Sequence, residues 1–220
     1  MTRHKFFQIL GFVLTLLGSQ AALSIDKLIL PEMFQIRSKY AHLDPNGVVP
    51  EAALQRLIVY YDQVSSKLTN PYYASVMDFS PHSSKKRFHV IDMKSGQVFS
   101  YLAAHGKGSE SSSTDDDGYA NKFSNQPGSN ASSLGFYRTG EVYQGANGTS
   151  LKLHGLEDTN SNAFSRAIVI HGADYVSQEA IKNTGRIGRS QGCPAFERRF
   201  TEGLIKTLRN GSLILGWFSR

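Results

Sequence analysis

Cysteine occurs once in the 220 residues, at position 193, and that scarcity is the first constraint on the chain. A lone cysteine closes no disulfide within the chain and offers no close pair of thiolates for structural zinc. After residue 22 no apolar run reaches the roughly 18 residues that a membrane-spanning helix needs. Charge of one sign is not concentrated either. The 24 Lys and Arg against 18 Asp and Glu leave a formal +6, and no basic run is interleaved with aromatics, so nothing points to nucleic acid. No self-similar period recurs, which excludes a repeat array. What is present, 40% hydrophobic and 11% aromatic residues, is the make-up of a globular chain able to bury a core.

The one long apolar stretch, residues 6–17, follows Arg3 and Lys5 and precedes Gly18, Ser19, Ala21 and Ala22. That layout predicts a cleavable export signal over residues 1–22, with membrane contact only through that signal and a periplasmic or cell-envelope destination. Loss of Arg3 and Lys5 takes the charge from +6 to +4, which suits an anionic envelope. No cysteine near the cleavage region could carry a lipid anchor. Exported proteins usually hold cysteines in pairs, so Cys193 is either a buried apolar filler or a thiol kept for chemistry. Its setting between Gly192 and Pro194 is a poor place for core packing and favours the thiol.

Three stretches follow the signal. Residues 23–70 read as a helical extension: Ala53, Leu54, Leu57, Ile58, Tyr61, Val64 and Leu68 recur at helical spacing after Pro50, with a turn at 44–47 and a shorter helix over 33–40. Residues 71–220 read as the catalytic body. Its period-two runs at 73–79, 87–93 and 97–103 are short strands, the last two joined by Lys94-Ser95-Gly96 as a hairpin. A polar stretch at 104–133 is long enough to act as a lid or substrate-binding edge. Its Gly106-Lys107-Gly108-Ser109 lacks the ending of a phosphate loop, and its acidic run at 115–117 reads as a solvated tip. Further strands are expected after Leu134, at 151–155, 167–172 and 213–218, with an amphipathic helix over 197–209 stopped by Gly211.

The chemistry gathers at two places. His171 ends the apolar run Ala167-Ile168-Val169-Ile170, and Cys193 lies 22 positions on, in the glycine-rich Gly188-Arg189-Ser190-Gln191-Gly192-Cys193. A thiol attacks as thiolate, so it needs an imidazole or a positive field to manage its proton. A helix starting soon after Pro194 would aim its dipole at the thiol. Zinc on His154, His171, Asp174 and Cys193 is the weaker reading, because none of these is a closely spaced ligand pair. His154 reads equally as a structural histidine or a cleft-lining one. Arg186 and Arg189 are candidates for substrate carboxylates, Arg189 the better placed, since guanidinium pairs with carboxylate through two parallel bonds. No metal or organic cofactor is called for.

The order Ala167-Ile168-Val169-Ile170-His171-Gly172-Ala173-Asp174-Tyr175-Val176, then Gly188-Arg189-Ser190-Gln191-Gly192-Cys193-Pro194-Ala195, resembles the signature of the L,D-transpeptidase (YkuD-type) family, in its murein L,D-transpeptidase catalytic domain branch. Similar stretches lie at 76–80, 104–109, 123–125, 132–135 and 151–157, so the resemblance covers about residues 70–218. Many members carry histidine before the glycine and a basic or amide residue two places after the cysteine; here those are Gln191 and Ala195.

The resemblance implies an α+β, mainly β fold: an L,D-transpeptidase-like β-sandwich with the helical extension in front. It implies Cys193 as nucleophile and His171 as base, with the amides of Gly192 and Cys193 near the oxyanion and Ser190 and Gly192 shaping the turn. The implied partners are peptidoglycan stem peptides: D-alanine leaves, a Cys193 thioester forms, and an amine from a second stem resolves it into a cross-link. Two alternatives stay open, a hydrolase using the same thioester (L,D-carboxypeptidase or amidase) and a non-catalytic wall-binding module.

Overall fold

The computed structural model describes residues 30–111 and 117–219. The expected export signal and most of the acidic run at 115–117 lie outside the described residues. In chain order the elements are α1 (Leu30–Lys39), α2 (Glu51–Val64), β1 (Tyr73–Asp78), β2 (Phe88–Asp92), β3 (Val98–Tyr101), β4 (Ala103–Ala104), β5 (Gly135–Gly145), β6 (Gly148–Gly155), β7 (Val169–Gly172), α3 (Gln178–Thr184), β8 (Ala195–Phe196), α4 (Arg198–Leu208) and β9 (Leu213–Trp217). None of the described helices is long and apolar enough to cross a membrane.

The nine strands hydrogen-bond in the order β3-β2-β1-β9-β5-β6-β7-β8-β4. Its two ends, β3 and β4, are separated in the chain by Leu102 alone, so the sheet must curl until its edges nearly meet. Phe88 on β2 and Phe196 on β8 confirm the curl, meeting edge to face at 4.8 Å across the interior although six places apart in strand order. The fold is thus α+β, with two layers of strands facing each other across one core.

Strand alternation divides the apolar residues between two cores. Tyr73 and Met77 on β1, Tyr137 on β5 and Ile214 on β9 face the interior shared with Leu151, Leu153, Ile170 and Phe196, which Leu204, Ile205 and Leu208 of α4 close. Ala74, Val76, Phe136, Leu213 and Leu215 face the other way, onto Ala53, Leu57 and Ile58 of α2, Ile36 of α1 and Tyr40 just after it. The helices therefore share a core with the sheet. Tyr60 stacks on Phe136 at 4.0 Å, and the Arg56 guanidinium reaches both carboxylate oxygens of Glu157 at 2.8 and 2.9 Å. Leu57 is fully buried, so Leu57→Ala removes on the order of 2–5 kcal/mol from this face.

The β2–β3 hairpin forms where its turn residues place it. Asp92 Oδ1 accepts the Lys94 and Ser95 amides, and Gly96 at φ +77 brings its backbone against His42, where a Cβ would lie 2.0 Å from the carbonyl oxygen. The β5–β6 hairpin is much longer than the strand expected after Leu134 and the run at 151–155 foretold. Its outer half, from Glu141 to Gln144, is exposed and shows no apolar alternation, and the ladder slips between Thr139 and Val142. β8, two residues long, has no periodicity to detect.

Candidate active site

β7 and β8 pair in parallel with His171 opposite Ala195 and Gly172 opposite Phe196. Cys193, two residues before Ala195, therefore lies beside Val169, two residues before His171. The Val169 N–H points at Cys193 Sγ at 3.5 Å, and Sγ lies 3.6 Å from the Ala167 carbonyl oxygen. His171 is 5% exposed and its Nδ1 lies 3.1 Å from the Gly172 carbonyl oxygen. A carbonyl can only accept, so Nδ1 carries the proton and Nε2 keeps its lone pair. Among the described residues no hydrogen bond joins Sγ to the imidazole.

The turn that presents Cys193 closes on its own serine. Ser190 Oγ accepts the Gly192 N–H at 3.1 Å and donates to the Cys193 carbonyl at 2.6 Å. The Gly192 amide, expected near the oxyanion, is thus committed within the turn. The Cys193 amide makes no hydrogen bond among the described residues. Gly192 adopts φ +121, and a Cβ there would lie 2.9 Å from the Ala131 carbonyl oxygen, so glycine is required twice over.

The polar stretch at 104–133 is the seat of this turn. Ser190 bridges Gly106: its N–H donates to the His105 carbonyl and its own carbonyl accepts the Lys107 amide, both at 2.9 Å. A Cβ on Gly106 would lie 2.7 Å from Gly192 N and Cα, so the two backbones touch. Ser132 Oγ accepts the Gly106 amide and donates to the Gly192 carbonyl. Phe123 packs between Phe79 and Phe218, holding the stretch onto the core.

Arg166 is one residue that the sequence did not single out. Its guanidinium donates to the carbonyls of Ser124 (2.7 Å) and Ala131 (2.6 Å) and to the hydroxyls of Ser129 and Ser133. It holds the far side of the polar stretch against the cysteine turn and brings a positive charge to the thiol. Its only sequence signal is its place next to the strand that ends in His171.

Burial pushes the Cys193 thiol above the ordinary thiol range, and the Val169 amide and Arg166 charge partly offset it. Burial likewise pushes His171 below the ordinary imidazole value, with the Gly172 hydrogen bond opposing and Arg198 reinforcing. The resting site is therefore a neutral thiol beside a neutral imidazole. Helix α4 begins only at Arg198, after β8, and so does not start directly behind Pro194 as expected.

The remaining candidates fall around this centre. Arg189 pairs with the buried carboxylate of Glu110, so a substrate carboxylate would have to share its guanidinium. Arg186 is half-buried in the loop between α3 and the turn. His154, on β6, stacks on Phe164 at 4.9 Å and packs against Gly140. Asp174 takes Arg198 in a two-bond fork at 2.5 and 3.0 Å, and Tyr175 packs on Gly188. No group of three or more His, Cys, Asp or Glu side chains suited to a metal gathers among the described residues.

The fold thus sets a buried histidine on one strand of a curled α+β sheet and a cysteine in the glycine turn that leads into the neighbouring strand. The chain belongs to the L,D-transpeptidase catalytic domain family, whose model matches residues 46–217. Among solved structures it is similar to an L,D-transpeptidase from Mycobacterium smegmatis (13% identity, 66% of this chain and 58% of that one, TM-score 0.40). It is also similar to the helical cell shape determining protein Pgp2 from Campylobacter jejuni (11%, 78% and 58%, 0.41) and an L,D-transpeptidase from Stackebrandtia nassauensis (10%, 86% and 77%, 0.39). The chain spans less than two thirds of the first two of these. No curated protein matches.

Proposed function

We propose that this chain is an exported cysteine transpeptidase that forms cross-links between peptidoglycan stem peptides. The observation that carries the reading is the parallel register of β7 and β8, with His171 opposite Ala195 and Cys193 on the adjoining turn. Membership of the L,D-transpeptidase catalytic domain family supports the substrate class.

In this reading Cys193 Sγ attacks the carbonyl between the third and fourth stem residues while His171 Nε2 takes the thiol proton. Proton transfer in step with attack suits a neutral pair better than a standing thiolate, because burial disfavours both ions. The Cys193 amide stabilises the tetrahedral oxyanion, with Gly192 keeping the approach open. The C–N bond breaks, the imidazolium returns its proton to the departing D-alanine amine, and a thioester remains on Cys193. An amine from a second stem attacks that thioester. His171 removes the amine proton, the C–S bond breaks as the imidazolium passes that proton to the departing Cys193 sulfur, and the new amide is the cross-link. Arg189 and Arg186 receive stem carboxylates at the rim, Ser190 holds the turn against which the stem lies, and His154 borders the cleft. Residues 1–22 direct export, which places the reaction in the cell envelope.

The test is mass spectrometry of the mature protein with disaccharide-tetrapeptide muropeptides, beside Cys193→Ala. A Cys193-dependent acyl adduct followed by cross-linked dimer supports the proposal. An adduct that yields only tripeptide makes the protein a hydrolase, and no adduct at all removes the function. The N-terminal residue of the exported protein tests cleavage after the signal.

A further inference from the structure

A chain of buried polar side chains that the chemistry above does not use runs from the core to the cysteine turn. Arg87 is fully buried; its Nε donates to the Ala103 carbonyl at 2.9 Å, one terminal nitrogen to the Pro81 carbonyl at 3.1 Å, and the other contacts His105 Nδ1 at 2.6 Å. Guanidinium has no accepting atom, so His105 Nδ1 must accept and its proton must sit on Nε2. That Nε2–H faces Glu110 Oε1 at 3.3 Å, and the other carboxylate oxygen of Glu110 takes Arg189. His105 and Glu110 are 1% and 2% exposed. Burial pushes His105 down to about 2, reinforced by the Arg87 and Arg189 charges, so it stays neutral and its tautomer is set. The links from Arg87 to His105 and from His105 to Glu110 thus both donate toward Glu110, which Arg189 meets from the other side.

The same segment grips the turn through its backbone on both sides of Cys193. Ala104 pairs with Ala195 after the cysteine, and the His105 carbonyl takes the Ser190 amide before it. Residues 189 and 190 are thus held at consecutive positions, one by the Glu110 carboxylate and the other by the His105 backbone. Ser190 in turn closes the loop onto the Cys193 carbonyl.

We propose that Glu110 and His105 are positioning residues for the Cys193 thiol, acting through Arg189 and Ser190 and touching no substrate atom. The proposal rests on Cys193 being the nucleophile. It assigns the Arg189 charge first to the turn. A precise seat matters because a misplacement of about 1 Å at a reacting group costs on the order of 10²-fold in rate.

Glu110→Gln is the test. The amide keeps the shape but offers one accepting oxygen to two donors, so either Arg189 or His105 meets an N–H, and the chain relaxes only by moving the turn. On folded, purified protein kcat falls about 10- to 10²-fold with KM unchanged, and iodoacetamide alkylation of Cys193 slows. His105→Gln, whose amide can reach Glu110, retains more kcat than His105→Ala, and this pair carries the comparison if Glu110→Gln does not fold. A lower Tm with wild-type kcat and wild-type alkylation in the folded variants makes the chain merely structural and overturns the proposal. The alkylation arm needs no muropeptide. If the wild type forms no acyl adduct, the transpeptidase reading fails while the alkylation comparison still decides the positioning role.

Discussion

His171 stands opposite Ala195 in a parallel strand pair, and that register alone brings a histidine and a cysteine 22 residues apart to neighbouring points of one sheet. Replacing the proposed base therefore has a sharp expectation. His171→Gln should lower the acylation rate by about 10²- to 10⁴-fold, the range for loss of a general base. The mass of the acyl adduct against time gives the rate, and unimpaired acylation by a folded variant would remove His171 from the reaction.

Gly192 is the position where a single methyl does most damage. Gly192→Ala must hold φ +121 and meet the Ala131 carbonyl at 2.9 Å, a strain of about 1–3 kcal/mol on the backbone alone. Thermal unfolding should shift down accordingly and turnover should be lost. Ser190→Ala, which deletes two hydrogen bonds of the same turn, should cost a comparable 1–3 kcal/mol, roughly, by the same assay. Wild-type melting in both would mean that the turn is held from elsewhere.

Arg166→Met takes away a positive charge that lowers the thiol as well as the anchor of residues 124–133. The Cys193 thiol should then titrate higher still, and alkylation by iodoacetamide at pH 8 should slow relative to wild type. In the wild type the same reaction should keep accelerating as pH rises past 9, because the thiol is already raised by burial. An alkylation profile that levels off near neutrality would instead indicate a standing thiolate.

Stability should fall on the acid side through the buried histidines. His105 sits near pH 2 in the folded chain against about 6.5 when unfolded, and His89 and His171 are also lowered by burial. Below about 6.5 the unfolded chain binds protons that the folded chain refuses, so stability is complete above that pH and declines as pH drops. The slope approaches 1.4 kcal/mol per pH unit, roughly, for each such histidine. Melting temperatures from pH 7.5 to 5 read it directly, and a flat curve would show that these imidazoles protonate without unfolding the chain.

Much of the frame was legible because local rules carry it. The helical spacing after Pro50 became α2, the residues around Lys94-Ser95-Gly96 became the β2–β3 hairpin, and the run before His171 became β7. The amphipathic stretch expected over 197–209 became α4, within a residue at each end. The outer half of β5–β6 escaped notice because its side chains are solvated on both faces and carry no alternation, although Asn147-Gly148 is a recognised hairpin dipeptide. Arg166, Arg87 and Glu110 escaped for a different reason. Each acts on a partner far along the chain, and no spacing rule links 87 to 105 or 110 to 189.

By itself the amino-acid sequence determined which residues could do chemistry: one thiol, set in a glycine turn, and a histidine closing an apolar strand. Those are properties of residue type and near neighbours, and a linear chain displays them. The tertiary structure alone decided how the groups are tuned and held. Burial keeps thiol and imidazole neutral, Ser190 rather than substrate receives the Gly192 amide, and Arg189 faces Glu110. Desolvation and hydrogen-bond partnership depend on what surrounds a group in space, and the curled sheet gathers those surroundings from four separate stretches of chain.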